Sequence, residues 1–486
     1  MAFSRTIKPI TAVLALAMHT VPAVAQLAPP DIQPFRFDED YRYLRDPASR
    51  QDVWWERLKD MPIDRDGIVR LDVGADLRLR NENYRNNAWG EAPAPNDSYL
   101  WYRALPYAAL RVGPYIRLFS QFQLSWSSGV QPAPGPTDQT LVDLAQGFAE
   151  VTIPVGDTQG ILRGGRQLLS YGSERLISIR YGPNVLQPFD AAVGRLEAAG
   201  GDWRVDFLYA RPVATNQNGS FNDHTDYRRA LWGVYGTLLG MPWNAGADLY
   251  YLGFLNTNAT YEQGTGVETR NTLGLRLFGN AAGGQGSGPD WNFEFIYQFG
   301  NFNGMPFGNL RGPIEAWSVA SDSGYTFGSL PWRPRIGLRA NAISGDVDPN
   351  NPTLNSFNAM FPRGKYFGEV GLIGPRNLYN LRPNLQVEPA LHWTIAIASD
   401  FFWRQSLGDG VYANNGQLIR SAKLPNGNLA RGRFIGIQPE IVVSYEPTRE
   451  LAFEASYAFL TAGNFIKQTG PSRTTHFFAI EARYWF

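Results

Sequence analysis

The last eleven residues of the chain, HFFAIEARYWF (His476–Phe486), alternate between two kinds of side chain up to the final residue. A side-chain period of two is typical of a β-strand, in which successive side chains point to opposite faces. One face of this strand is apolar, because it carries Phe478, Ile480, Ala482, Tyr484 and Phe486. No polar residue follows to solvate that face. We therefore predict that the strand ends at a membrane–water boundary.

The same alternation recurs along the chain from residue 68 onward. RLDVGADLRLR (70–80) and YIRLFSQFQLSW (115–126) place leucines and aromatic residues opposite arginines, acids and glutamines. ETRNTLGLRLFG (268–279), WNFEFIYQFG (291–300) and WRPRIGLRAN (332–341) repeat this pattern. A soluble β-sandwich also alternates, but arginines and acids recur along the polar faces, and few of the strands suit a shared two-sheet core.

Aromatic residues also cluster near the predicted strand ends, as they do in the interfacial girdles of membrane barrels. The clusters considered for these girdles are Tyr99, Trp101 and Tyr102; Trp291; Tyr297 and Phe299; Phe401, Phe402 and Trp403; and Tyr484 and Trp485.

The composition excludes several classes of protein. The net charge is zero and there is no cysteine, so neither nucleic-acid binding nor a disulfide or thiolate–metal framework is supported. Aromatic residues make up 14% of the chain, yet its mean hydropathy is only −0.28. Lysine is scarce, and arginine supplies 39 of the 44 basic residues. This bias reflects either genomic composition or a need for planar, bidentate carboxylate recognition.

A closed membrane barrel accounts for these features together. Beyond the N-terminus, no apolar run reaches the roughly 18 to 20 residues of a spanning helix. Only helices and closed barrels satisfy every backbone polar group within a membrane. We therefore predict an all-β fold, a transmembrane antiparallel β-barrel of about 18 strands over residues 67–486, with 16 strands as the alternative. Long loops rich in Gly, Pro and Asn alternate with short links, as extracellular loops alternate with periplasmic turns.

The N-terminus differs from the remainder. Residues 1–25 are typical of a secretory signal peptide, with Arg5 and Lys8 before the apolar ITAVLALAM and a small-residue site at Ala23–Ala25. Residues 26–66 lack sustained alternation, and we predict an irregular, plug-like periplasmic segment with a short helix around Asp52–Leu58. Together with the barrel, the signal predicts the outer membrane of a Gram-negative bacterium.

Three stretches resemble the alginate-export family of outer-membrane barrels. They are the lead-in FDEDYRYLRDPASRQDVWWERLKDMPI (37–63), the more specific GGRQLLSYGSERLISIRYGPNVLQPFDAA (164–192), and the block 333–368, from RPRIGLRANAISGD to FNAMFPRGKYFG. The resemblance runs from about residue 35 to the C-terminus, and the long lead-in is typical of a divergent member. It implies an 18-stranded barrel that exports an anionic, alginate-like polysaccharide passively through an arginine-lined pore. The alternative is a general or substrate-specific diffusion porin that takes up small anions or sugars.

Arginine is suited to this task because its rigid guanidinium fork matches a carboxylate, and a ring of like charges selects ions by sign. Arg175 and Arg180 lie in the block that resembles the family's constriction, and we rank them with Arg166. Each candidate either contacts substrate or forms a structural ladder with an inward acid. The polar-face arginines are Arg70, Arg78, Arg117, Arg166, Arg270, Arg276, Arg335 and Arg339. The inward acids are Asp72, Asp76, Glu150, Glu294, Glu440, Glu454 and Glu481.

Catalytic chemistry finds little support. The histidines of the predicted mature chain, His224, His392 and His476, are far apart, and YGSERL does not form a Gly-x-Ser-x-Gly elbow. We therefore predict no enzyme activity and no cofactor. DVDPNN (346–351) begins as a calcium loop does, but Asn351 replaces the glycine and Phe357 the bidentate glutamate. This favours a turn over a metal site, and a calcium near Asp346 is left open.

The predicted partners follow from this reading. They are outer-membrane lipid, an anionic polysaccharide or small anionic solute, periplasmic export components, and the barrel assembly machinery. The assembly machinery would recognise the terminal Phe486.

Overall fold

A computed structural model describes residues 35–281, 286–304 and 312–486. The predicted signal peptide at 1–25 lies outside these residues. The described chain forms a closed antiparallel barrel of 18 strands, which confirms the predicted fold class and strand number. The strands, numbered β1 to β18 in chain order, are Val69–Arg85, Asp97–Val112, Ile116–Ser128, Leu141–Val155, Thr158–Leu168, Pro188–Ala198, Trp203–Ala214, Arg229–Met241, Ala245–Tyr261, Gly264–Asn280, Gly288–Gly304, Gly312–Thr326, Arg335–Ile343, Leu378–Ala390, Trp393–Trp403, Phe434–Thr448, Leu451–Leu460 and Thr475–Trp485.

The barrel closes because its last strand pairs with its first. β18 runs antiparallel to β1, from Arg85 opposite His476 to Asp76 opposite Trp485. Phe486 continues the pairing, since its backbone exchanges hydrogen bonds of 3.1 Å with Ala75. The alternating C-terminal stretch is therefore a wall strand. Recognition of Phe486 by the assembly machinery stays a prediction.

Helical elements are few and short. None of the helices in the described part of the chain has the length and apolar character needed to cross a bilayer. The elements outside the barrel wall are the 3₁₀ helices Arg36–Asp38, Arg42–Arg45, Pro47–Ser49, Trp54–Leu58 and Pro242–Asn244, the helical turn Asn87–Gly90, helix α1 Asn464–Thr469, and the short strands Met61–Pro62, His224–Thr225, Val411–Tyr412 and Leu418–Arg420.

The two faces of the wall differ as the alternation predicts. On β10, Leu273, Leu275 and Leu277 are 39–49% exposed on the outer face, whereas Arg270 and Thr272 are fully buried on the lumen side. On β1, Leu77 and Leu79 likewise point outward, and Arg78 and Arg80 point inward. The apolar side chains therefore form the surface that meets lipid, and the charged ones surround the lumen.

Part of the predicted aromatic girdle is wrong. Trp101 and Phe402 are buried on the lumen side, and the Tyr99 hydroxyl donates to Glu82 at 2.7 Å inside the barrel. Tyr102, the neighbour of Trp101, is 39% exposed on the outer face. Adjacent residues of a strand point to opposite faces, so a cluster of consecutive aromatics cannot all belong to a girdle.

Residues 35–62 lie against the lumen side of the wall, at the end of the barrel where the strand connections are short. Phe37 packs edge-on against Phe119 and Phe148 of β3 and β4, with ring centroids 5.3 and 5.1 Å apart. Lys59 Nζ donates to the Tyr107 hydroxyl at 2.6 Å and to the Val73 carbonyl at 2.9 Å. The predicted helix near residue 54 is a 3₁₀ helix, Trp54–Leu58.

A glycine in β1 makes this approach feasible. A Cβ atom at Gly74 would lie 2.5 Å from Lys59 Nζ and 2.7 Å from the Tyr107 ring, which is closer than real Cβ contacts. The wall therefore carries no side chain at the point where the N-terminal segment presses against it.

Candidate functional site

A long connection between β5 and β6, the 169–187 loop, crosses the lumen. On one side the Arg78 guanidinium of β1 donates to the carbonyls of Tyr181 at 3.0 Å and Pro183 at 2.7 Å. Towards the opposite wall, Arg175 of the loop lies 3.0 Å from Glu294 of β11 and donates to Asn341 of β13 at 3.1 Å. The loop is thus tied to both sides of the barrel.

A second connection, the 344–377 loop between β13 and β14, also folds inward. The Asn358 amide donates to Glu268 of β10 at 3.1 Å, and the Glu369 backbone N–H donates to Glu440 of β16 at 2.8 Å. Burial opposes ionisation of Glu369, but Lys365 at 2.6 Å and the Arg80 guanidinium lower its pKa to about 2. This carboxylate therefore stays charged and holds the loop to the wall.

The two inward loops meet within the barrel. The backbone of Phe361 donates to the Leu176 carbonyl at 3.0 Å, and that of Arg363 donates to Glu174 at 3.0 Å. Cavities of about 540 and 250 Å³ lie on the long-loop side of this contact, and one of about 520 Å³ lies on the short-turn side. The loops therefore form a constriction between two vestibules.

Seven of the eight predicted strand arginines are paired with an acid, and the eighth, Arg78, donates to the 169–187 loop. Arg276 and Arg335 border the short-turn cavity together with Arg339. A partner of opposite charge within hydrogen-bond distance neutralises most of each guanidinium's field. The pairs are Arg70 with Asp60 at 2.8 Å, Arg117 with Glu150 at 2.9 Å, Arg166 with Asp190 at 2.9 Å, Arg270 with Glu268, Arg276 with Asp248 at 2.7 Å, Arg335 with Asp290 at 2.8 Å, and Arg339 with Asp322 at 2.8 Å.

Two of the other candidates are structural. Arg78 is 4% exposed. Its two Nη atoms donate to carbonyls of the 169–187 loop, and its Nε is buried without a hydrogen-bond partner. Arg175 is 5% exposed and is enclosed by Glu294, Asn341 and the Tyr366 hydroxyl. Contact of substrate with any of the ten candidate arginines stays a prediction.

Arg180 differs from the strand arginines. It is partly exposed at the edge of the 250 Å³ cavity, and no acid of the described residues lies within ion-pairing distance of its side chain. Its φ angle of +53° lies in the left-handed region, which costs a residue with a Cβ of the order of 1 kcal/mol. Burial and the nearby Arg229 guanidinium lower the pKa of Arg180 to about 10, so it remains charged at neutral pH.

Arg363, on the 344–377 loop, likewise lacks an acid partner among the described residues. The sequence analysis did not include it among the candidates. Its Nε is buried without a hydrogen-bond partner, and no carboxylate of the described residues lies within 4.0 Å. Burial, and then the guanidinium groups of Arg339 and Arg175, lower the pKa of Arg363 to about 10. Its position in FPRGKYFG, within the block that resembles the family, could have identified it as a candidate. It was missed because it lies on no alternating strand.

Arg382 was also missed. It lies on the lumen side of β14 between Asp400 and Glu440, and it donates to both carboxylates. The segment NLRPNLQVEP (380–389) alternates polar and apolar residues, but its two prolines, Pro383 and Pro389, are unusual within a strand and concealed it. Among the described residues, no group of three or more His, Cys, Asp or Glu side chains is placed to hold a metal ion.

The chain matches the family model described as alginate export over residues 69–480. No curated protein gives a significant match. Among solved structures, OccK8 (OprE) of Pseudomonas aeruginosa is similar with a TM-score of 0.53 and 12% identity, covering 86% of this chain and 98% of that one. OccK2 (OpdF) of the same organism, in complex with glucuronate, gives 0.52 and 11%, covering 85% and 98%. OpdK with vanillate gives 0.53 and 9%, also covering 85% and 98%.

The family match covers most of the barrel, and the likeness to solved structures at this identity concerns the fold. The chain therefore belongs to the alginate export family and is a channel of the bacterial outer membrane.

Proposed function

We propose that this member of the alginate export family is a passive channel that exports an anionic, alginate-like polysaccharide. The observation that carries the proposal is the pair of uncompensated guanidinium groups, Arg180 and Arg363, on the two loops of the constriction. A polyuronate needs weak, repeated capture of carboxylates along its path. Unpaired arginines supply this attraction at the constriction, and the paired wall arginines maintain a polar lumen.

A second candidate is uptake of small carboxylated solutes through the same constriction. The cavity of about 540 Å³ is within the size range of small-molecule sites, and a polymer would need the inward loops to move. The structurally similar OccK2 and OpdK are described in complex with glucuronate and with vanillate. The two candidates share the charge at the constriction and differ in the size of the solute.

Conductance across a planar bilayer tests the proposal. The wild-type channel should be anion-selective, and polyuronate should block it. The double variant Arg180→Gln/Arg363→Gln should lose most of this selectivity. At about 4 Å in water each removed charge is worth about 1 kcal/mol, or roughly fivefold. The control Arg117→Gln removes one of the two guanidinium groups that contact Glu150. Arg163 still neutralises that carboxylate, so the variant should retain the selectivity.

Cation selectivity of the wild-type channel would contradict both candidates. Liposome efflux separates them, because a polysaccharide channel releases entrapped oligouronates of increasing length. An uptake porin passes the monosaccharide and retains the longer chains.

A further inference from the structure

An apolar groove of about 650 Å³ lies on the outer face of the wall, across β5 to β9. Small residues form its floor. Gly194 is paired with Leu162 on one neighbouring strand and with Phe207 on the other. Gly164 is paired with Ala192 in the next row. Leu162 and Phe207 are exposed beside this floor, so the groove opens towards the lipid that surrounds the barrel.

The space over Gly164 distinguishes this groove from the rest of the wall. A Cβ atom at Gly164 would meet no other atom within 4 Å. At other wall glycines the missing side chain makes room for a ring, since a Cβ at Gly253 would lie 2.2 Å from the Trp232 indole. No side chain of the described residues fills the space over Gly164 in this way. A molecule outside the chain can therefore fill it.

The groove ends in a positive charge at the level of the lipid head groups. The stretch 203–211 has the length of a tilted strand that crosses a bilayer, about 9 to 11 residues. β7 runs from a short turn towards a long loop, so its end lies at the outer leaflet. The outward side chains along this stretch are, in order, Trp203, Val205, Phe207, Tyr209 and Arg211.

The Arg211 guanidinium is held in place but keeps two donors open. Its Nη1 donates to the Tyr227 carbonyl at 2.9 Å and to the Arg229 carbonyl at 3.4 Å. Its carbon atom lies 5.9 Å from the centroid of the Tyr209 ring and 5.3 Å from that of Tyr227. Its Nε and Nη2 donate to none of the described residues. These two nitrogens form the fork that matches a phosphate or carboxylate.

The nearest acid does not neutralise Arg211. Asp190 lies opposite Arg211 on β6, but its carboxylate is paired with Arg166 at 2.9 Å and accepts the Thr225 hydroxyl at 2.6 Å. Arg166 and Asp190 both lie on the outward side of their strands. Among the described residues, no carboxylate is within ion-pairing distance of Arg211.

The adjoining rim adds to the positive charge. The exposed Arg228 follows Tyr227 in the chain, and it shares the single carboxylate of Asp226 with Arg229. An occupant that suits both parts of this surface must carry an anionic head and a long apolar tail. A phosphorylated lipid has this chemistry, because its phosphate can bind the open fork and an acyl chain can lie in the groove.

We propose that Arg211 and the groove beneath it bind one phosphorylated lipid of the outer leaflet. Its phosphate accepts the Nε and Nη2 hydrogens of Arg211, and one of its acyl chains covers Gly164. In a Gram-negative outer membrane the lipid of this leaflet is lipopolysaccharide, whose lipid A part carries the phosphates and the acyl chains. The site faces lipid and does not depend on which solute the channel transports.

Native mass spectrometry of the full chain tests this site. The protein is refolded in detergent, so that it carries no lipid, and is titrated with lipid A. The wild-type protein should bind one molecule more tightly than any further ones. Arg211→Gln should weaken this binding roughly tenfold, because the phosphate loses charge-assisted hydrogen bonds. The matched control Arg85→Gln removes an exposed arginine at the long-loop end of β1, away from the groove, and should retain the binding.

A second variant tests the groove rather than the charge. Gly164→Leu places a side chain in open space, so the barrel should fold normally while the acyl chain is displaced. We expect lipid A to bind this variant several-fold more weakly. Unchanged conductance in a planar bilayer shows that both variants are folded.

Two further ligands separate a lipid site from a phosphate site. Dephosphorylated lipid A should bind the wild-type protein no better than lipid A binds Arg211→Gln, and excess inorganic phosphate should not displace lipid A. Displacement by inorganic phosphate would overturn the proposal, as would equal affinity of the wild type and Arg211→Gln for lipid A. A lipid-free dimer that Gly164→Leu dissociates would also overturn it, because a second copy of the chain would then occupy the groove.

Discussion

The arginines of the barrel wall and those of the inward loops differ in what neutralises them. On the wall, Arg276 and Arg339 each face an acid on a neighbouring strand. On the loops, Arg180 and Arg363 reach the lumen without an acid partner among the described residues. Both sets line the same channel, so their position in the lumen does not distinguish them. Their electrostatic partners do: each of these wall guanidinium groups faces a carboxylate, whereas each of the two loop guanidinium groups faces none among the described residues.

The largest expected effect comes from breaking a wall pair. Arg382→Gln leaves Asp400 and Glu440 facing each other without a cation. Removing one partner of a buried ion pair typically costs about 3 to 5 kcal/mol. We expect the free energy of unfolding, measured by urea titration in liposomes, to fall by that amount. Arg363→Gln should change it by no more than about 0.5 kcal/mol. An equal loss of unfolding free energy in the two variants would contradict the proposed difference between wall and loop arginines.

Arg175 can show whether the role of an arginine depends on its ion pair or on its location, because it lies on a loop but is paired with Glu294. Arg175→Gln should lower the free energy of unfolding by about 3 kcal/mol, at the low end of the range for buried pairs. The Tyr250 and Ser173 hydroxyls still donate to Glu294 at 2.8 and 3.1 Å, which limits the loss. Ion selectivity in a planar bilayer should stay within about twofold of the wild type. A large change in selectivity would show that position in the loop matters more than pairing.

Lys59 has no carboxylate within ion-pairing distance among the described residues, and it extends the comparison to the N-terminal segment. Burial, and then the nearby Arg36, lower its pKa from 10.5 to about 7. Between these values the docked segment binds fewer protons than the released one, so docking strengthens as the pH rises. We expect a gain on the order of 2 kcal/mol between pH 7 and pH 9.

Limited proteolysis of residues 35–62 at the two pH values measures this gain, with stronger protection at the higher pH. Lys59→Met, which cannot titrate, should remove the difference. A segment that is better protected at low pH would reverse the sign and refute the explanation.

The smallest effect concerns the shape of the loop arginines. Arg180→Lys with Arg363→Lys keeps both charges but loses the planar fork that matches a carboxylate. Anion selectivity should therefore persist, and block by polyuronate should weaken by roughly threefold, less than about 1 kcal/mol. Titration of single-channel block measures it. Unchanged block would mean that charge alone captures the polymer.

Much of the fold could be predicted because alternation is a local property. The period of two in 70–80 and 268–279 assigned each arginine to a face before any strand pairing was known. The number of about 18 strands followed from the length of the segment 67–486, and the family resemblance implied the same number. The N-terminal segment was recognised by the absence of alternation. The aromatic clusters misled because Trp101 and Tyr102 are adjacent in sequence and therefore point to opposite faces.

The candidate site could be predicted less completely from the sequence, because the register of neighbouring strands decides which arginine pairs with which acid. Asp248 and Arg276 are 28 residues apart, and Arg80 and Glu481 are 401 residues apart. Their contact requires the alignment of neighbouring strands and the closure of the last strand on the first. Arg363 lies in an irregular segment whose inward course comes from hydrogen bonds to distant walls.

By itself, the sequence determined a membrane barrel with a charged lumen, because side-chain alternation needs only the geometry of an extended strand. Only the tertiary structure decided which arginines are neutralised and which remain free. That distinction arises because the two inward loops place Arg180 and Arg363 where no acid of the described residues is within ion-pairing distance.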